Sequence, residues 1–101
     1  MNVKELIEEL RKHPLDATVY ISDIEGLCSF LLHIEEFQFK VVFSDSKIEN
    51  KEPYTSKEVI DYLESFDGNL SVFIKHLDYP SNLLTEVDYA YWNNSIILIT
   101  L

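Results

Sequence analysis

The stretch NVKELIEEL at residues 2–10 recurs 53 positions later as TSKEVIDYL at residues 55–63. Each stretch opens with a helix-capping residue, Asn2 or Thr55, and has a glutamate three positions further on. This is the spacing of a capping box, in which the cap side chain accepts from the N3 amide and the glutamate accepts from the cap's own amide. The sequence therefore predicts two helices that begin in the same way.

The apolar side chains in both stretches follow helical spacing. They are Val3, Leu6, Ile7 and Leu10 in the first stretch, and Val59, Ile60 and Leu63 in the second. Positions i, i+3, i+4 and i+7 share one face of a helix, so each helix is predicted to bury one face. Pro14 and the pair Asp67–Gly68 are predicted to end the two helices.

The 53-residue offset extends into the segments that follow the helices. Val19–Ile21 falls on Val72–Ile74, inside the stretches Thr18–Ile21 and Ser71–Lys75, whose β-branched and aromatic residues predict strands. Helical periodicity alone cannot fix the distance from a helix to the next strand. The match therefore indicates one helix–strand unit encoded twice.

Two more strands are predicted in each copy. In the second copy they are Leu83–Trp92 and Ser95–Leu101, joined by a tight turn at Asn93–Asn94, because asparagine accepts left-handed backbone geometry. In the first copy they lie near residues 30–35 or beyond and at Lys40–Phe43. The stretch EEFQFK between them lacks Gly, Asn and Pro, so the position of the turn is undefined. A gap of two residues in this region aligns the last strand of the first copy with the last strand of the second.

These elements predict an α+β fold built by tandem duplication of a helix–strand–strand–strand unit. Repeat 1 covers about residues 1–44, a polar connector about 44–54, and repeat 2 about 55–101. A unit of about 50 residues buries little core alone, so we expect one domain over residues 1–101. Two helices would pack on a mainly antiparallel sheet with pseudo-two-fold symmetry.

The opening motif resembles the start of many small uncharacterised bacterial and phage proteins. In this sequence VKELIEEL is followed by the basic pair Arg11–Lys12, by Pro14, by Asp16–Ala17 and by a valine-containing strand. The resemblance covers about 20 residues. It implies a bacterial or phage origin and a structural role for the motif, and it carries no functional residues.

The charge of the chain favours some partners over others. The 18 Asp and Glu residues outnumber 8 Lys and Arg, which gives a formal net charge of -10. Such a surface repels nucleic acid and anionic membranes, so we predict a protein partner of basic character and no direct contact with either. The single Cys28 and the lack of a signal-peptide pattern predict the cytoplasm of a bacterium, or of a phage host.

No catalytic or ligand-binding motif stands out. Cys28 and the histidines His13, His33 and His76 lack the spacing of a nucleophilic or metal site, and Cys28 is expected to be buried or half-buried. The fragment Asp23–Gly26 lacks the downstream ligands of a calcium loop. We therefore predict no enzymatic activity, no cofactor and no metal.

A cluster of aromatic residues near the end of the chain is the candidate interface, comprising Tyr79, Tyr89, Tyr91 and Trp92. If residues 83–92 form a strand, alternation places Tyr89 and Tyr91 on one face and Trp92 on the other. Core packing explains most of this set, and the remaining face is free to contact a partner, since Tyr and Trp dominate binding hot spots.

Three functions are compatible with these observations. The first is a non-enzymatic acidic protein-interaction module, which could also form a homo-oligomer through an exposed edge strand at Ser95–Leu101. The alternative is an acidic inhibitor of a nucleic-acid-handling protein, of the anti-defence, anti-CRISPR-like or immunity type, whose carboxylates imitate phosphates. The third is an enzyme that uses Cys28 or a pair of carboxylates.

Overall fold

The structure is a computed structural model that describes residues 1–22, 28–45, 52–75 and 80–100. Its helices are α1 (Val3–Leu10) and α2 (Ser56–Leu63). Its strands are β1 (Thr18–Ser22), β2 (Cys28–Phe30), β3 (His33–Phe37), β4 (Lys40–Ser44), β5 (Ser71–Lys75), β6 (Asn82–Ala90) and β7 (Ser95–Thr100). The α+β class predicted from the sequence is confirmed.

Both helices begin with the predicted capping boxes. The Glu5 amide donates to the Asn2 side chain at 2.8 Å, and the Glu58 amide donates to the Thr55 hydroxyl at 3.3 Å. Each glutamate also accepts from the amide of its cap residue. Such a cap contributes about 1 kcal/mol, which matters for helices of only eight residues.

The helices end earlier than predicted. Their C-caps are Arg11 and Glu64, three or four residues before Pro14 and Gly68. The chain leaves each helix through tighter turns, as in the bonds from the His13 amide to Leu10 and from the Phe66 amide to Leu63. Proline and glycine thus follow these turns rather than end the helices.

The strands form a mixed sheet in the order β2-β1-β7-β6-β5-β4-β3. Four of the six neighbouring pairs are antiparallel, and the two parallel pairs are β1 with β7 and β4 with β5. Both parallel pairs join a strand from the first half of the chain to one from the second half. Parallel pairing needs a long connection, which the intervening chain supplies.

The sheet is curled, and a two-residue link joins its two outer strands. The outer strands β2 and β3 are consecutive in the chain and are joined by Leu31 and Leu32. The Leu31 amide donates to Val19 in β1, and the Leu32 amide donates to Ser44 in β4. The strand predicted near residues 30–35 is therefore split, because its two parts pair with different neighbours.

Strand β7 is not an edge strand. The described part of the predicted edge, Ser95–Thr100, pairs with β1 on one side and with β6 on the other. The prediction of an exposed edge at Ser95–Leu101 is wrong. It treated the last apolar strand as peripheral, whereas the curled sheet inserts it between β1 and β6 and buries Ile96 and Leu98 completely.

The two halves interlock at the helix starts. The Lys4 amide in α1 donates to Gly68, beyond α2, at 3.0 Å, and the Lys57 amide in α2 donates to Leu15, beyond α1, at 2.9 Å. These bonds satisfy helix N-terminal amides that have no partner within their own helix. Each helix is thus fixed at its start by the other half of the chain.

The described residues bury one apolar cluster to which both halves contribute. Its fully buried members include Leu6, Leu10, Leu31, Phe43, Leu63, Ile74, Leu84, Ile96 and Leu98. The apolar helix faces predicted from spacing point into this cluster. Cys28 lies outside it and is exposed, so the expectation of a buried or half-buried cysteine is wrong. The three-residue strand β2 alternates exposed and half-buried side chains, and Cys28 takes an outward position.

Candidate functional site

The most exposed pair of adjacent aromatic residues lies in the loop between β6 and β7. We call residues Tyr91–Asn94 the aromatic loop; Tyr91 is 79% exposed and Trp92 is 75% exposed. Sequence analysis placed both in a strand that ran to Trp92, but β6 ends at Ala90. The alternation argument therefore fails at this point, and both rings face solvent.

Asn94 anchors the aromatic loop. Its backbone is left-handed, with φ of 50°, a geometry that asparagine adopts more readily than most residues. Its side-chain amide donates to Asp16 at 3.0 Å, and its side-chain oxygen accepts from the Tyr89 hydroxyl at 2.8 Å. Its carbonyl accepts from the Thr18 amide at 3.1 Å. These bonds tie the loop to the segment that leads into β1.

Tyr89 supports the loop from beneath. Its ring is half-buried against the core cluster and stacks on the His13 ring, with 5.0 Å between centroids and 17° between planes. Tyr89 therefore acts as packing and as the hydrogen-bond donor to Asn94. Unlike Tyr91 and Trp92, Tyr89 therefore uses most of its ring for packing within the chain. The fourth predicted interface residue, Tyr79, lies outside the described residues.

Tyr91 and Trp92 contact each other edge to face. Their centroids are 5.6 Å apart and their planes are inclined by 80°. This is a favoured arrangement for aromatic pairs, and it holds the two rings in a defined relation. Large rings fixed on an anchored loop lose little conformational entropy when they bind, which is the property of binding hot spots.

The surroundings of the aromatic loop are acidic. Residues 80–100 contain Glu86 and Asp88 but no lysine or arginine, and Asp16 is hydrogen-bonded to the loop. Asp16 and Asp88 are both exposed. The loop therefore combines exposed aromatic area with negative charge.

Two exposed lysines, one just beyond the end of α1 and one in α2, are paired with carboxylates of the adjoining or the same helix. The hydrogen bond to Glu9, together with the charge of that carboxylate, raises the pKa of Lys12 above its ordinary value of 10.5. The hydrogen bond to Asp61 raises the pKa of Lys57 in the same way. Since these side chains are exposed, the pairs stabilise the fold little, but they neutralise bases within an acidic surface.

A second aromatic turn, between β3 and β4, was not predicted as a candidate. Phe39 is 89% exposed and Phe37 is 52% exposed. Phe37 also borders a surface pocket lined by Lys40, Lys75 and Pro80. The two phenylalanines in EEFQFK were the available signal, but the absence of Gly, Asn or Pro obscured the turn that exposes them.

Other surfaces offer less. The groove between α1 and α2 mixes apolar side chains with the charged groups of Lys4, Glu8, Arg11 and Glu64. Across the described ranges, no three His, Cys, Asp or Glu side chains are grouped to hold a metal ion. The fragment Asp23–Gly26 and His76 lie outside those ranges.

None of the helices in the described part of the chain is long and apolar enough to cross a membrane. Comparison with protein-family models, with curated proteins and with solved structures finds no match for this chain.

Proposed function

We propose that this chain is a non-enzymatic protein-interaction module that binds its partner through the aromatic loop. The observation that carries the proposal is the exposure of adjacent Tyr91 and Trp92, 79% and 75%, on a loop anchored by Asn94. Exposed aromatic residues are costly in an isolated soluble domain and are concentrated at interfaces. The anchoring hydrogen bonds favour binding without reorganisation of the loop.

The charge of the chain supports a basic partner. Carboxylates around an aromatic centre steer a positively charged surface toward it and leave the rings to supply contact area. We expect the encounter to take place in the cytoplasm of a bacterium, or of a phage host. This expectation follows from the single cysteine and from the resemblance of the opening motif.

Matched double substitutions at the two turns test the proposal. The immobilised chain, the variant Tyr91→Ser/Trp92→Ser and the control Phe37→Ser/Phe39→Ser would be exposed to an extract of the source organism. We expect a partner that binds the unmodified chain and the control but not the first variant. With that partner purified, loss of the two rings should weaken the Kd by about 30-fold or more, since a hot spot contributes about 2 kcal/mol or more.

The outcome is interpretable only if the variants fold, so circular dichroism and thermal melting of all three chains accompany the binding measurement. A folded Tyr91→Ser/Trp92→Ser variant that binds as tightly as the unmodified chain would contradict the proposal. If both double variants lose the partner, the surface is wider than the aromatic loop.

The second candidate function is inhibition of a nucleic-acid-handling protein by charge mimicry. It is favoured by the net charge of -10 and by the exposed carboxylates Glu58, Asp61 and Glu64 along α2. In that case binding would fall steeply as salt is raised and would survive removal of Tyr91 and Trp92. The aromatic-loop proposal predicts the opposite pattern, with a modest salt effect and a large effect of the ring substitutions.

We also propose that the fold is a tandem duplication with a pseudo-two-fold axis. The matching registers of two strand pairs support this. In the pair β3–β4, Ile34 lies opposite Phe43. Val87, 53 residues after Ile34, lies opposite Leu98, 55 residues after Phe43, in the pair β6–β7. The interlocking bond from Lys4 to Gly68 has its counterpart, with the halves exchanged, in the bond from Lys57 to Leu15.

Further support comes from the helices and the turns. The ion pair between Arg11 and Glu64, 2.7 Å long, joins two positions that are themselves 53 residues apart, as expected beside a two-fold axis. The offset between matching residues changes from 53 to 55 at the hairpin turn. The turn has two residues in the first half and the corresponding loop has four in the second, which accounts for the difference.

A symmetric chain tests the duplication. Residues 1–44 would be replaced by a second copy of residues 54–99, so that the two helix–strand–strand–strand units are identical and the connector is kept. If the halves are equivalent, this chain should fold as a monomer and give roughly half as many backbone amide signals in NMR spectra as it has residues. A chain that aggregates or remains unfolded would argue against equivalence of the halves.

A further inference from the structure

We infer that the aromatic loop recognises an arginine side chain of the partner protein. This inference rests on the proposed function, since it names the chemical group that the same surface binds. It is carried by the placement of two solvent-facing rings on a loop hydrogen-bonded to a carboxylate, in segments that contain His13 but no lysine or arginine.

The first step is the charge around the rings. Asp16 reaches the loop through its hydrogen bond with Asn94, and Asp88 stands on β6 three residues before Tyr91. Residues 13–22 and 80–100, which contain these groups, include no lysine or arginine. A cation approaching the loop therefore meets carboxylates and no competing ammonium or guanidinium group from these segments.

The second step is how the carboxylates are oriented. Asp16 Oδ1 accepts from Asn94 at 3.0 Å, and Asp88 Oδ1 accepts from the Tyr89 amide at 2.9 Å. Both bonds engage one oxygen of an exposed side chain and limit its rotation. The second oxygen of each exposed carboxylate can accept a charge-assisted hydrogen bond from a bound cation.

The third step is the match between the rings and a guanidinium group. Because Tyr91 and Trp92 are inclined by 80° and largely exposed, ring faces remain open to solvent. A guanidinium group is planar, stacks on aromatic faces and donates several hydrogen bonds in its plane, so it can contact a ring and a carboxylate at once. An ammonium group is more strongly hydrated and donates from a single point.

Nucleic acid is the other class of ligand that stacks on exposed aromatic rings. Its phosphates would lie against Asp16 and Asp88 without lysine or arginine from residues 80–100 to neutralise them. The charge of the loop therefore favours a cationic side chain over a base with its phosphate.

Trp92 reports directly on binding because it is the only tryptophan in the chain. Its fluorescence would be followed during titration with a blocked diarginine peptide, and in parallel with the same peptide carrying citrulline, which keeps the planar shape without the charge. We expect a saturable change with the arginine peptide and at least a fivefold weaker response with the citrulline peptide, reduced further by salt.

Charge variants locate the effect. Asp16→Asn and Asp88→Asn keep the oxygen that accepts the local hydrogen bond and remove the charge, so each should weaken the arginine peptide about two- to fivefold. The matched control Glu36→Gln removes an equal charge from an exposed position of β3 and should leave the affinity unchanged.

Three results would overturn the inference. The first is an equal response to the citrulline peptide. The second is no saturable change up to about 10 mM arginine peptide, a concentration at which any useful affinity would be visible. The third is tighter binding of a short single-stranded oligonucleotide than of the arginine peptide. The proposed function has its own readout, the loss of partner capture by Tyr91→Ser/Trp92→Ser. If capture depends on the rings but citrulline replaces arginine without loss, the interface stands and the arginine assignment fails.

Discussion

The two hairpins, β3–β4 and β6–β7, share one pattern of strand pairing and differ at their tips. The first closes with Gln38 and Phe39, both at positive φ of 49° and 64°, in the geometry of a tight two-residue turn. The second closes with the four residues of the aromatic loop, of which Asn94 has positive φ. The comparison shows that similar strand registers accommodate turns of different length and chemistry.

The tips also differ in how they are held and charged. The aromatic loop is anchored by the side chain of Asn94, whereas the Gln38–Phe39 turn follows directly from the pairing of Phe37 with Lys40. Lys40 places a cation beside the first tip, and its ammonium lies 4.7 Å from the centroid of the Phe73 ring. Exposed aromatic residues thus occur at both tips. At the first tip Lys40 and Lys75 accompany the exposed Glu35, whereas residues 80–100 around the aromatic loop contain no lysine or arginine.

The largest expected effect tests whether the residues at the base of the two hairpins contribute equally to the stability of the core. Leu31 and Leu84 lie 53 residues apart, both fully buried. We expect Leu31→Ala and Leu84→Ala each to lower the free energy of unfolding by about 3 kcal/mol, since both leave a cavity in the same core. Urea denaturation of the two variants checks this. A loss at one position several times that at the other would break the equivalence.

Asn94→Gly isolates the anchoring of the aromatic loop. Glycine keeps the left-handed backbone but removes the hydrogen bonds to Asp16 and from Tyr89, so we expect a loss of about 1–2 kcal/mol. Thermal unfolding gives the magnitude. Tyr89→Phe tests the Tyr89 hydroxyl separately. A loss of about 1–2 kcal/mol of stability in Tyr89→Phe, together with no loss in Asn94→Gly, would refute the anchoring role of Asn94.

Ser56 offers a comparison at the helix starts. It is fully buried, its hydroxyl has no hydrogen-bond partner among the described residues, and Val3 occupies the position 53 residues before it. Ser56→Ala should raise stability by about 1 kcal/mol because it removes the cost of a buried unpaired hydroxyl. Denaturant unfolding measures the gain, and destabilisation would indicate that the hydroxyl has a partner.

Phe39→Gly is expected to have the smallest effect, opposite in sign to Asn94→Gly. A left-handed backbone costs a residue with a side chain about 1–2 kcal/mol, and the greater freedom of glycine in the unfolded chain offsets about half of this. We therefore expect a net gain of about 0.5–1 kcal/mol. The shift in Tm measures it, and a loss of stability would mean that the exposed ring packs on the fold.

The local elements were largely predictable from the sequence. Helix starts at Asn2 and Thr55, the buried helix faces, and strands β1, β4, β5 and β7 follow from capping residues and from side-chain alternation. The turn at Gln38–Phe39 was not predictable, because neither residue type favours positive φ and the strand pairing on both sides imposes it.

The candidate site shows the same division. Tyr91 and Trp92 were named from composition, but their exposure depends on where β6 ends, and that depends on the bonds among Asn94, Asp16 and Tyr89. Phe37 and Phe39 were missed because their exposure is a consequence of that imposed turn. A pattern of aromatic residues indicates a surface only when the turn that displays it is known.

By itself the sequence determined which segments become helices and strands, because capping and amphipathic spacing act between residues within a few positions of each other. The tertiary structure decided that β7 lies inside the sheet and that strands from the two halves of the chain pair in parallel. It also decided that Tyr89 is partly covered while Tyr91 and Trp92 are exposed. These outcomes depend on contacts between residues far apart in the chain, such as Asp16 with Asn94, whose partners local sequence patterns do not specify.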